Sequence, residues 1–228
     1  MTNGKKISSA FIIFTFFSLG FTYIQQIETE EDIRAREILL EVSRRFSSVH
    51  SYRCMLSTIC RRDNREERRL YNYSFQVGKL IRMEISAGKD RGATLVYRDG
   101  VVRARRSGLL SFITLTFKPS DRTVTTIRGG RVDQTDFGFI IGLMQDPSKK
   151  VFWKNKDIFL DQQADVLELL ETKAVSVGEP AKGLFWIADD SKLIIKYELY
   201  DKENNLLFQQ IHKDIQLNVD FPKDYFKL

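Results

Sequence analysis

Few residues in this sequence could do chemistry, and their spacing does not assemble them. The 228-residue chain holds two histidines and two cysteines. Cys54 and Cys60 lie in Ser51 to Arg61, where Tyr52, Cys54, Leu56, Thr58 and Cys60 share one side of an alternating strand and Arg53 and Met55 share the other. Six residues of strand set the thiols ~20 Å apart, whereas a disulfide needs Cα atoms within about 7 Å. They are expected to be unpaired with each other. Two distant thiols with His50 and His212 make no four-ligand zinc set either. His212 sits mid-strand and His50 near a helix end, so both read as structural. The pair Asp189-Asp190 falls in a turn, where Asp serves the backbone. There is no G-x-S-x-G elbow, H-E-x-x-H helix or phosphate loop, and Gly129-Gly130, with no lysine-serine after it, reads as a turn. No catalytic residue, metal ligand or cofactor is assigned, and the chain is not expected to be an enzyme.

The formal net charge is +6, two units of it from Lys5 and Lys6. Nucleic-acid binders concentrate more positive charge than this on one face, so no nucleic-acid partner is expected. The densest run, Arg61 to Arg69, reads as a solvated hairpin tip or as a docking patch for an acidic partner or anionic lipid head groups. It has no interleaved aromatic residues, which single-stranded nucleic acid would need.

The N-terminus bears on location. Lys5-Lys6 precedes the apolar run Ala10 to Phe17, and Ser18-Leu19-Gly20 offers small residues at a cleavage site, the pattern of a signal peptide over residues 1–20. The alternative is an uncleaved anchor over residues 7–24, 18 residues from Ile7 to Ile24 without a charge. Either way the remainder is exported. No cysteine lies near the end of the apolar run, so no lipobox is expected.

The elements that must carry any function follow in order. Thr29 caps a helix with acids in its first turn, and Ala35, Ile38, Leu39, Val42 and Phe46 form one apolar stripe along it. The stretch Glu66 to Arg106 reads as a four-stranded antiparallel meander. Tyr71, Tyr73, Phe75 and Val77, then Ile81, Met83 and Ile85, recur on every second position, and Asp99-Gly100 marks a hairpin. One face of the meander is therefore aromatic and apolar, the other wet. Leu109 to Phe117 is apolar on both sides and predicts a doubly buried strand; Thr123 to Arg128 predicts a short one. Thr135-Asp136 caps a helix with almost no polar face, Phe137 to Met144, which must be buried or must cover something apolar. Gly138 and Gly142 weaken that helix, suiting a mobile cover or close packing. Strands are then expected at Asp157–Leu160, Asp165–Leu170, Leu184–Ile187, Lys192–Tyr200 and Leu206–Leu217. Hairpins without crossover helices imply a large antiparallel sheet and an α+β fold.

In this order the elements resemble the LolA-type outer-membrane lipoprotein carriers. The likeness is carried by Phe46-Ser47-Ser48-Val49-His50-Ser51-Tyr52 entering the first strand, by Thr94 to Val101, by the apolar helix at the position of that family's lid, and by Ile215 to Asn218 with Phe226. It implies one domain over residues 29–228: a curved antiparallel sheet forming an unclosed β-barrel, with helices covering its hydrophobic concave face. It also implies a monomeric periplasmic carrier of lipoprotein or lipid acyl chains, with an inner-membrane donor and an outer-membrane acceptor. The cavity is then expected to be lined by Tyr71, Tyr73, Phe75, Ile81, Met83, Ile85, Phe137, Phe139, Ile140 and Met144. The family's lid latch is an arginine-proline pair before the third strand; here that stretch is Val77-Gly78-Lys79-Leu80, so the latch is absent or replaced by Lys79. A membrane-anchored periplasmic sensor or protein-interaction module of the same fold is the alternative reading, binding through the sheet edge or the basic tip.

Overall fold

The computed structural model describes residues 29–108, 112–173, 175–176 and 178–228. The signal or anchor segment lies outside them. Eleven strands form one antiparallel sheet: β1 (Ser51–Arg62), β2 (Arg65–Gln76), β3 (Leu80–Gly88), β4 (Thr94–Arg98), β5 (Val101–Arg105), β6 (Leu115–Phe117), β7 (Lys149–Phe159), β8 (Gln162–Glu171), β9 (Lys182–Ala188), β10 (Ile194–Tyr200) and β11 (Leu206–Leu217). Helices α1 (Glu30–Ser47) and α2 (Phe137–Met144) complete the described elements together with a 3-10 turn at Val132–Gln134.

The sheet order is β6-β5-β4-β3-β2-β1-β11-β10-β9-β8-β7. Neighbours in sequence pair by hairpins, and the pairing of β1 with β11 joins the two halves into one surface. β6 and β7 do not pair, so the barrel stays open. The chain between those two edges carries α2 from one side of the concavity to the other. That placement follows from topology: a sheet left open at consecutive strands must have its connecting segment bridge the gap.

Register places the apolar residues of successive strands in rows across the inner face. One row runs Leu217, Tyr52, Phe75, Ile81, Tyr97, Val102, Phe117, and a second runs Cys54, Tyr73, Met83, Leu95, Ala104, Leu115. The inner-face residues pack into one cluster with Ala35, Ile38 and Val42 of α1 and with Phe137, Ile140, Ile141 and Met144 of α2. Thr29 and Asp32 form a capping box at the start of α1, which fixes where that helix begins. A smaller cluster on the opposite face joins Ala164, Val166, Trp186, Ala188 and Ile195.

Four sequence expectations are corrected. Of the run from Leu109 to Phe117 expected as a doubly buried strand, the described part, Phe112 to Phe117, is strand only at Leu115–Phe117, and Phe112 is 79% exposed; a three-residue edge strand is covered on its inner side alone. The run from Thr123 to Arg128 is turns, stabilised by Asp121 accepting from the Thr123 amide at 2.8 Å. Val77 is exposed, because β2 ends at Gln76 and Gly78 and Lys79, both at positive φ, turn the chain. The strand expected at Asp157 begins much earlier, at Lys149, and its hairpin to β8 is the two-residue turn Leu160–Asp161. Its lysine-rich start concealed it. Cys54 and Cys60 are both buried and free, as their spacing requires.

Candidate functional site

The site is built around the start of α2. Asp136 is its N-cap, accepting from the Phe139 amide at 3.1 Å. The same carboxylate lies 3.1 Å from Lys79 Nζ, on the β2–β3 turn. Its side chain is 4% exposed and that of Lys79 43%, so a buried anion is tied to a cation that water can reach. Lys79 thus ties the β2–β3 turn to the first turn of the apolar helix.

Phe137 follows the cap and enters the aromatic row. Its ring stacks on Tyr52 at 4.6 Å, meets His212 at 4.7 Å and approaches Phe46 edge-on at 6.2 Å. Its amide donates to the Tyr52 hydroxyl at 3.3 Å. Tyr52 in turn stacks on Tyr73 and Phe75. Burial drives the phenols of Tyr52 and Tyr73 well above their ordinary pKa, so both stay neutral. Burial also lowers His212 to about 3, leaving its ring uncharged. Gln210 Nε2 lies 3.1 Å from His212 Nε2 and donates to the Thr135 carbonyl at 3.1 Å. The backbone entering α2 is therefore held by neutral groups of the sheet as well as by Lys79.

Gly138 has a packing reason: a Cβ there would lie 3.0 Å from Phe46 Cε1 and 2.9 Å from Asp136 Oδ1. Gly142 faces open space, with nothing within 4 Å of such a Cβ.

Below and beside α2 opens a cavity of about 1090 Å³. Its walls combine Tyr71 and Met83 from the first half of the sheet, Phe139 and Leu143 from α2, and Leu199 and Phe208 from the second half. Its rim is polar and holds Arg61, Arg62, Arg128 and Arg131. Arg128 spans the rim, donating to the carbonyls of Arg61, at 3.1 Å, and Gly178.

Of the ten expected lining residues, Tyr71, Met83 and Phe139 border this cavity. Ile85 borders a second pocket near the β6 edge. Tyr73, Phe75, Ile81, Phe137, Ile140 and Met144 are buried in the core cluster, close-packed between sheet and helices. The sequence reading omitted Tyr52 and Phe46 from the site, and every residue of the second half of the sheet. The signal was present: Tyr197 and Leu199, and Phe208, Gln210 and His212, each recur with a period of two. Among the described residues no group of three or more His, Cys, Asp or Glu side chains is placed to hold a metal ion, and no helix is long and apolar enough to cross a membrane.

The described residues form an unclosed antiparallel half-barrel with two helices packed in its concavity. No protein-family model and no curated protein matches the chain. Among solved structures it is similar to an uncharacterized conserved protein from Thermus thermophilus, at 12% identity over 86% of this chain and 93% of that one, with a TM-score of 0.54. It is similar also to MucB, at 11% identity over 86% of this chain, with a TM-score of 0.52; the match spans 63% of the MucB chain. A putative outer membrane lipoprotein-sorting protein domain from Vibrio parahaemolyticus, at 12% identity over 86% and 97% of the two chains, is a more distant match, with a TM-score of 0.47. At these identities the likeness is one of fold.

Proposed function

We propose that this protein is an exported, periplasmic carrier that shelters the acyl chains of a lipoprotein or lipid in the cavity beside α2 and delivers them toward the outer membrane. One observation supports this above the rest: an apolar helix latched by a single partly exposed ion pair borders a cavity of about 1090 Å³. If each methylene takes about the ~30 Å³ of a water molecule in the liquid, that volume exceeds one acyl chain. Each buried methylene contributes about 0.8 kcal/mol, so a chain of about 16 carbons supplies ~10 kcal/mol before ordering costs. Transfer then needs no catalytic group, only a cover that opens, and the open fraction sets apparent affinity.

The test is to purify the exported domain and identify co-extracted lipid or acylated protein by mass spectrometry. Uptake of a fluorescent fatty acid is then compared with α2 tethered to the β2–β3 turn by an engineered cysteine pair and after its reduction. Uptake restored on reduction supports the carrier; equal uptake in both states removes the gating role. The second reading, a membrane-tethered sensor or interaction module, draws on the exposed tip around Arg62 and Arg65. It gains ground if the N-terminal segment is retained in the mature protein, because a shuttle must leave the inner membrane.

A further inference from the structure

Three apolar side chains within four positions, Phe112, Ile113 and Leu115, are exposed at the β6 edge, a grouping found nowhere else among the described residues. Phe112 is the most exposed of the large apolar side chains described. Clustered apolar exposure of this kind marks a protein or membrane contact. Ile113 and Leu115 also border the second pocket, so the patch continues into an apolar wall. Arginines surround it. The Ser107 amide donates to the Gly92 carbonyl at 3.0 Å, joining the start of the β5–β6 connection to the β3–β4 loop. The Lys89 amide donates to the Arg68 carbonyl at 3.1 Å, joining that loop to β2 near the β1–β2 tip. One end of the half-barrel therefore gathers the tip, the loop and the apolar edge. Of the carboxylates on the tip and the loop, Glu66 is held by Arg61 and Arg68, and Glu67 and Asp90 by Arg69. Asp63 alone pairs with no cation among the described residues. Against it stand Arg62, Arg65 and Arg91, all exposed and without an ion pair among the described residues. Arg106 reaches Asp90 only at 3.4 Å, and its side chain is 74% exposed.

We propose that this end of the protein docks on a bilayer with anionic head groups, Phe112 and Ile113 entering the boundary of the acyl layer while Arg62, Arg65, Arg91 and Arg106 meet the phosphates. Charge complementarity selects an anionic surface, and insertion of apolar side chains adds to it. A partner strand is the poorer occupant: β6 offers three residues of ladder, and a bilayer needs none. The rim of the cavity beside α2 includes Arg61 and Arg62, so docking brings that rim to the bilayer. The docking surface goes beyond the carrier reading and does not rest on it.

The test introduces Phe112→Trp in the full chain and titrates it with vesicles whose acyl chains carry bromine, a contact quencher. The signal belongs to the edge: residues 1–28 hold no tryptophan, and Trp153 and Trp186 lie in the other half of the sheet, where wild-type emission serves as the blank. Quenching is expected with mixed phosphatidylglycerol–phosphatidylcholine vesicles and should fall away with phosphatidylcholine alone and at high salt. At about fivefold per arginine, Arg91→Gln combined with Arg106→Gln should lower the docked-to-free ratio about 25-fold. Ile113→Asp should lower it about tenfold or more. Lys223→Gln, past the far end of β11, should leave it unchanged. No quenching with the mixed vesicles overturns the proposal. Equal quenching in the two kinds of vesicle overturns it as well, as does a loss in Lys223→Gln matching that of the arginine pair. A blue shift in Phe112→Trp that grows with protein concentration, without vesicles, would assign the edge to a second copy of the chain and overturn it too. Failure here leaves fatty-acid uptake, the carrier's own test, untouched.

Discussion

Removing the Lys79 ammonium tests the latch most directly. Lys79→Met keeps the stem of the side chain and the turn but leaves the Asp136 carboxylate buried without its counter-charge. Breaking a fully buried pair costs about 3–5 kcal/mol, and an exposed pair is worth about 0–1. Here one partner is buried and the other is nearly half exposed, so water can approach the orphaned oxygen and solvent screening discounts the larger figure. The carboxylate also keeps its bond from the Phe139 amide. The expected loss is about 1–2 kcal/mol, borne by opening of α2. Native-state hydrogen exchange at the Ile140 and Ile141 amides should then accelerate about 5–30-fold, with α1 and β8 unaffected. Asp136→Asn retains the cap and removes the buried charge, so it should cost less than Lys79→Met. The double variant should recover part of the loss. High salt, which shortens the screening length to about 3 Å at 1 M, should narrow the gap between wild type and Lys79→Met. Unchanged exchange at Ile140 and Ile141 in Lys79→Met would refute the latch.

Truncating Phe137 to Ala should cost about 3–5 kcal/mol in denaturant melts, since it removes a buried ring stacked on Tyr52 and His212; Phe139→Ala, at the half-buried cavity wall, should cost clearly less. Gly142→Ala should stabilise the protein by about 0.5–1 kcal/mol, because the position is helical and an added methyl meets nothing. His212 gives a pH signature: its folded pKa, about 3, lies below its unfolded value near 6.5. The unfolded chain therefore binds the extra proton between those values, and stability should fall as pH drops through that window by up to about 1.4 kcal/mol per pH unit. Comparing urea midpoints of wild type and His212→Gln between pH 7 and 4 isolates this slope. Burial raises the pKa of both Cys54 and Cys60, so a thiol reagent should label neither in the native protein at neutral pH and both after denaturation.

Much of this architecture is written in local pattern. Period-two alternation fixed the inner faces of β1, β2 and β3, because a strand exposes alternate side chains to opposite sides whatever its partner. The caps of both helices could be read from Thr29 and Asp136 because capping needs only a side chain and the next few amides. The six-residue spacing of Cys54 and Cys60 along one strand argued against a disulfide by reach, and both are free. Where neighbours decide, the pattern failed. Leu109 to Phe117 is apolar enough for a doubly buried strand, yet in its described part, Phe112 to Phe117, only Leu115–Phe117 pairs and Phe112, Ile113 and Leu115 are exposed, because burial on both sides requires a second layer that the β6 edge does not have. The first part of β7, Lys149 to Lys156, escaped notice because an edge strand can be rich in lysine and still complete its ladder. The lining of the large cavity depended on β1 pairing with β11, a contact between residues 148 to 165 positions apart, which brings Leu199 and Phe208 to the same cavity as Tyr71 and Met83. The pairing of Lys79 with Asp136 likewise needed the open sheet edge that sends α2 across the concavity. Local sequence sets which face of each element is apolar; only the tertiary structure determines what that face meets, because long-range pairing and an unclosed barrel are properties of the whole sheet.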